Sequence, residues 1–134
     1  MIKQLMGKTI LKIDRVNDDG EELHFHMNTG ETYIQYHMQD CCESVYIEDI
    51  CGDLSDLLFT PVLNAYEESN GERDEDQYES VTWTFYNIST IKGSVTIRWC
   101  GQSNGYYSES VDWRVIKAPE GFVVQHLDED LFIL

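Results

Sequence analysis

The chain has 134 residues, a length typical of one domain, so we expect a single domain over residues 1–134. Its 25 acidic and 9 basic side chains give a formal net charge of -16. Such a negative surface repels nucleic acid and anionic membranes, and no stretch is apolar enough to cross a membrane, so we expect neither as a direct partner. Basic protein surfaces, cations and neutral small molecules remain as partner classes.

Much of the chain alternates apolar and polar residues with a period of two, the pattern of an antiparallel strand with one buried face. Many of these positions hold β-branched or aromatic residues, which pack well on a pleated surface. The alternation predicts strands at 9–16, 22–27, 32–38, 81–88, 94–100 and 109–116. Turn sequences with Gly, Asn or Pro follow or precede them at 17–20, 28–30, 92–93, 104–105 and 118–121, the last before further strands.

The same alternation predicts which side chains form the core. We expect Trp83 and Phe85 on one strand, and Ile97 and Trp99 on its neighbour, to point inward from a common sheet.

The middle of the chain holds the one predicted helix, near 53–59. Asp53 can cap its start, Asp56 lies in its first turn, and Pro61 marks its end. The composition of residues 45–50 favours a strand, although a helix is also compatible with it. The predicted fold class is therefore mostly β (α+β), an antiparallel meander sheet or partly open barrel with one short helix.

The four cysteines are Cys41, Cys42, Cys51 and Cys100. The first residues show no long apolar run, so we expect no signal peptide, a cytoplasmic location and free thiols. We expect Cys41 and Cys42 to straddle a strand, one in the core and one outside.

The segment 67–79 contains seven acids and one opposing base, which predicts a solvated, mobile loop. Its acids are candidate contacts for a basic protein partner: Glu72, Asp74, Glu75 and Asp76.

The segment 101–110 is small and polar and contains two adjacent tyrosines. Such loops make good recognition surfaces, because a tyrosine offers a large contact area at low entropic cost. The candidate binding residues are Asn104, Tyr106 and Tyr107. With Arg98 beside them, an alternative is a pocket that sequesters a nucleotide.

A second alternative is a metal site or metal-dependent enzyme around His37, Cys41 and Cys42, because imidazole and thiolate are zinc ligands. Cys51, Cys100 or His126 could complete the site. The spacing matches none of the common zinc patterns.

Several stretches resemble a family of small proteins of tailed bacteriophages and prophages with no established activity. They are YH at 36–37, QDCCESVYIEDI at 39–50, GD at 52–53, WTFY at 83–86, KGSVTIRW at 92–99, SNGYYS at 103–108 and LMGKT at 5–9. Cys51 and Cys100 fall outside the resembling positions, which argues against a zinc site that needs all four cysteines. The resemblance implies expression in an infected bacterium.

Together these features predict a non-enzymatic binding or accessory protein, with a counter-defence role among its possible uses, that acts on a host protein in the bacterial cytoplasm. We expect no cofactor. We also expect a monomer or a homodimer, since a sheet of this kind has exposed edge strands.

Overall fold

The computed structural model describes residues 1–17, 20–74, 79–105 and 107–117, and for residues 72–74 only the backbone is described. Tyr106, Glu75, Asp76, His126 and the strands expected after 121 lie outside the described residues. Within the described ranges, no helix is long and apolar enough to span a membrane.

Eight strands form two four-stranded antiparallel sheets. The first sheet has the order β1-β2-β3-β8 and contains β1 (Ile10–Asn17), β2 (Glu21–Met27), β3 (Thr32–Tyr36) and β8 (Asp112–Ile116). The second has the order β4-β7-β6-β5 and contains β4 (Ser44–Cys51), β5 (Asn64–Asp74), β6 (Glu79–Thr90) and β7 (Gly93–Ser103). Each sheet keeps two edge strands in the described part of the chain, so the strands do not close into a barrel. The prediction of a mostly β, antiparallel fold is confirmed.

One buried cluster joins the inner faces of the two sheets. Leu23 and Phe25 enter it from β2, while Ile97 and Trp99 enter it from β7, all four fully buried. Trp113 of β8 stacks on Phe25, with ring centres 6.0 Å apart. The prediction that Ile97 and Trp99 point inward is therefore confirmed.

The helix predicted near 53–59 is a four-residue 3-10 helix, Leu54–Leu57. Asp53 caps it as expected, since its carboxylate accepts the Ser55 N–H at 2.9 Å. The only other helical segment in the described ranges is also a 3-10 helix, Ile2–Leu5. Residues 45–50, which the sequence left open, belong to β4.

The predicted inward direction of Trp83 and Phe85 is wrong. The register pairs Tyr86 with the inward Ile97, and Phe85 with the outward Arg98. Tyr86 is fully buried, whereas Trp83 and Phe85 are half-buried and lie outside the core cluster. The reason is that β6 carries large side chains on both of its faces, so local alternation alone does not say which face is buried.

The prediction of a loop is also wrong for residues 67–74 and for Glu79. Residues up to Asp74 form the 11-residue edge strand β5, and Glu79 already begins β6. Exposed Glu67 and Glu68 lie within β5. Charges on an edge strand discourage pairing with other chains. Here they also interrupt the alternation of apolar and polar residues from which the other strands are predicted.

Candidate functional site

The outward side of the second sheet carries a group of aromatic side chains. We call it the outer face and define it by Tyr46, Tyr66, Trp83, Phe85 and Arg98. The strand register places Tyr46 and Trp83 on either side of Cys100 in one cross-strand row. Phe85 and Arg98 are paired in the next row. Tyr66, on β5, is 38% exposed, while the other four are half-buried.

Arg98, a predicted binding residue, lies at the centre of the outer face. Its Nε and Nη2 donate to the two carboxylate oxygens of Asp49 at 3.0 and 2.6 Å. Its guanidinium also lies 5.1 Å from the centre of the Trp83 ring, within cation–π range. Arg98 is therefore engaged by a carboxylate and an indole. This disfavours the nucleotide alternative, in which Arg98 lies beside the pocket and helps to offset the negative charge of the ligand.

Tyr46 is held beside the same strand pair. The hydrogen bond that it shares with Cys100, together with burial, raises the pKa of the Tyr46 hydroxyl to about 12. Tyr46 therefore presents a neutral, half-buried ring to solvent at physiological pH.

Residues 101–103 of the predicted recognition loop belong instead to β7. Glu109 holds the following segment against the end of the second sheet. Its carboxylate accepts hydrogen bonds from Thr82 at 2.7 Å, from Ser80 at 3.2 Å and from Ser103. The loop runs so close to β7 that a Cβ added at Gly101 would lie 2.5 Å from the Glu109 carbonyl oxygen. No sequence pattern singles out Glu109, because its role depends on hydroxyls from two different strands.

The predicted binding residues of the loop differ in their exposure to solvent. Asn104 is exposed, and Tyr107 is half-buried with its hydroxyl 3.7 Å from the Cys41 Sγ. Among the acids predicted as contacts, Glu72 and Asp74 lie on β5, with backbones paired to Val81 and Glu79.

The expectation of free thiols at Cys41 and Cys42 is wrong, because a disulfide joins the two residues. The expectation that they straddle a strand is wrong as well. Both are exposed in the connection between β3 and β4, where no pleat forces neighbouring side chains to opposite faces. Cys51 and Cys100 are free thiols, the first exposed and the second buried.

His37, the third residue of the metal hypothesis, is buried with a different partner. Its side chain is 4% exposed, and its Nε2 lies 3.6 Å from Oε1 of Glu43, whose side chain is 1% exposed. The Nδ1 of His37 lies 2.8 Å from the Ser110 carbonyl oxygen, a contact that requires the proton on Nδ1. Within the described part of the chain, no three or more His, Cys, Asp or Glu residues are grouped to hold a metal.

A cleft of about 600 Å³ lies beside Glu43, between the 42–44 segment and the adjoining ends of β6 and β7. No sequence pattern indicates this cleft, because the residues that form it are distant along the chain and individually ordinary. A smaller cleft of about 380 Å³, lined by Tyr107 and Glu109, opens on the inward side of β5 and β6.

Comparison with known proteins gives one family match. A family model described as Domain of unknown function (DUF7448) matches residues 3–113, which span both sheets and both clefts. No curated protein and no solved structure is significantly similar to the chain.

Proposed function

The chain belongs to the DUF7448 family of domains of unknown function, and we propose that it is a non-enzymatic binding module whose outer face docks on another protein. The observation that carries this proposal is the solvent-facing position of Trp83 and Phe85. The partner we propose presents an apolar patch bordered by Lys and Arg.

The aromatic side chains supply the apolar part of the argument. Trp and Tyr side chains are prominent among residues that contribute most to protein interfaces, because they bury a large area with few rotatable bonds. Trp83 is also held in position by Arg98, so little side-chain freedom remains to be lost on binding.

The charge of the molecule supplies the choice of partner. Glu48 and Glu68 are exposed on strands of the outer face, while its central cation, Arg98, is already paired with Asp49. With a formal net charge of -16, the chain attracts basic surfaces over long distances and repels acidic ones.

The setting we propose is the cytoplasm of an infected bacterium, in which the chain occupies a host protein in an accessory or counter-defence role. The resemblance of its motifs to small phage and prophage proteins supports this setting.

The test is quantitative affinity capture from bacterial lysate with three immobilised proteins: the unchanged chain, the variant Trp83→Ser/Phe85→Ser, and Tyr36→Ser. Tyr36 is a matched control, because it is a half-buried aromatic on the outward side of the first sheet with Arg114 5.0 Å from its ring centre. Circular dichroism first confirms that each variant folds.

We expect that the unchanged chain and Tyr36→Ser capture equal amounts of one host protein. The double variant should capture at least tenfold less of it. The purified host protein should then bind the unchanged chain with the same ranking. Equal capture by all three proteins would show that the outer face is not the docking surface.

A further inference from the structure

The cleft beside Glu43 has the character of a binding site of its own. Ser44, Gln102 and Val81 are cross-strand neighbours at one end of the second sheet and form its floor. Glu43, Glu79, Ser80 and Ser103 are among the other residues that line it. Its volume of about 600 Å³ lies within the range of small-ligand sites.

The Glu43 carboxylate is buried and only half satisfied. Its Oε1 accepts the Asp40 N–H at 2.5 Å and faces the His37 ring. Its Oε2 has no hydrogen-bond partner among the described residues, although the side chain is 1% exposed. A buried carboxylate oxygen without a partner is costly, so the charge of Glu43 calls for a further positive or donor group.

The hydroxyls of the cleft favour the same kind of ligand. Ser80 and Ser103 both donate their single proton to Glu109. Each therefore offers a ligand only the lone pairs of its oxygen. A group with several N–H donors can therefore bond to these two hydroxyl oxygens, whereas an anion or a carbonyl finds no donor in them.

Charge adds a third reason. Glu43 and Glu79 line the cleft and Glu109 adjoins it, whereas none of the lining residues that the structure describes is Lys or Arg. Carboxylates at a partly enclosed surface produce a stronger field than the same charges in open water.

We propose that this cleft binds a primary ammonium or guanidinium group, with Glu43 as its counter-ion. The group can belong to a free amine or to a Lys or Arg side chain of another protein. The inference does not depend on the proposed function, because the cleft is tested with small cations and without a partner protein.

The experiment titrates the full chain with spermidine and with methylguanidinium at constant ionic strength, by calorimetry and by NMR of side-chain amides. Tetramethylammonium, which has the charge but no N–H donors, is the control ligand. We expect saturable binding of the first two, with shifts at the Gln102 amide, and at least tenfold weaker binding of tetramethylammonium.

The variant Glu43→Gln removes the charge with little change of shape, and we expect at least tenfold weaker binding of spermidine. Asp53→Asn is the matched control. It removes the same charge at the far end of β4, about 30 Å away at roughly 3.3 Å per residue, and Asn also caps a helix. We expect it to bind spermidine like the unchanged chain. If Glu43→Gln fails to fold, Glu79→Gln takes its place, because Glu79 is an exposed residue in the wall of the cleft. We then expect spermidine to bind at least threefold more weakly.

A capped Gly-Lys-Gly peptide separates the two sources of the ligand. Binding of the peptide as strong as that of spermidine assigns the cleft to a protein side chain, and binding of spermidine alone assigns it to a free amine. No saturable binding of any N–H cation overturns the proposal, and so does equal weakening by Glu43→Gln and Asp53→Asn. Neither result would affect the outer-face test, which depends on Trp83 and Phe85.

Discussion

The indole Nε1–H of Trp99 donates a hydrogen bond of 3.1 Å to the side-chain Oε1 of Gln35. Both residues are fully buried, and they belong to different sheets, since Trp99 lies on β7 and Gln35 on β3. The bond is thus a buried polar link between the two sheets. A buried polar pair of this kind restricts the ways in which two sheets can slide over each other.

We predict that Trp99→Phe lowers the free energy of unfolding by about 2–4 kcal/mol, because it leaves Gln35 unpaired and opens a cavity. Gln35→Met should be less harmful in the Trp99→Phe background than alone, since removal of both polar partners leaves neither side of this hydrogen bond unpaired. Urea unfolding of the four proteins, followed by circular dichroism, gives a coupling energy of about 1–2 kcal/mol. Additive costs would show that the bond contributes little.

The close contact between Gly101 and Glu109 yields a second prediction. Gly101→Ala places a Cβ 2.5 Å from a backbone oxygen and 2.8 Å from the Glu109 Cβ, so the loop must move. We expect a loss of about 1–3 kcal/mol in the free energy of unfolding. Gly71→Ala is the control, because its Cβ would meet no atom closer than 3.9 Å and should change the same quantity by at most about 0.5 kcal/mol. Thermal and urea unfolding compare the two variants, and equal effects would contradict the contact.

The sequence predicted the strands well where one face is apolar and the other polar. On β7 the inward Val95, Ile97 and Trp99 alternate with polar or small neighbours, and all three are fully buried. On β6 the assignment failed, because Trp83 and Phe85 on one face compete with Tyr86 and Ile88 on the other. Tyr86 and Ile88 share one face of β6, and both are fully buried. An alternation that takes Ile88 as inward therefore places Tyr86 inside as well.

The clefts and the polar clusters could not be predicted, because they depend on contacts between distant segments. Glu43 contacts His37 across a loop. Glu109, in the segment before β8, accepts a hydrogen bond from Thr82 of β6. Neither contact produces a local pattern in the sequence, so predicting it requires knowledge of the strand order and register. Those two properties follow from the core as a whole.

The cysteines give a prediction about chemical reactivity. Cys51 is an exposed thiol, Cys100 is 1% exposed, and Cys41 and Cys42 share a disulfide. Iodoacetamide should therefore add rapidly to Cys51 alone in the native, unreduced protein, to Cys100 as well after denaturation, and to Cys41 and Cys42 only after reduction. Intact-mass and peptide mass spectrometry count and locate the adducts, with Cys51→Ser as the control that abolishes the rapid one. Rapid native labelling of Cys41 or Cys42 would show that these residues are free thiols.

The pair formed by Glu31 and Lys8 makes stability depend on pH. Lys8 Nζ donates to Glu31 Oε1 at 2.9 Å, and this hydrogen bond holds the pKa of the Glu31 carboxyl below its ordinary value. A lowered pKa in the folded state stabilises the protein above the unfolded pKa, about 4.3 for Glu, and the gain is lost as pH falls through the folded value. The pair is partly exposed, so we expect Glu31→Gln to lower the free energy of unfolding by about 0.5–1 kcal/mol at pH 7.

At pH 3 and below, the difference between Glu31→Gln and the unchanged chain should shrink, because the carboxyl then takes up a proton in both states. Urea unfolding between pH 2.5 and pH 7 measures this convergence. Glu68→Gln is the control, since Glu68 is exposed on the edge strand β5 and its neutralisation should change the free energy by at most about 0.5 kcal/mol at pH 7. A difference for Glu31→Gln that persists undiminished at pH 2.5 would mean that its cost comes from packing and not from the charge. The ion pair to Lys8 would then have no measurable part in stability.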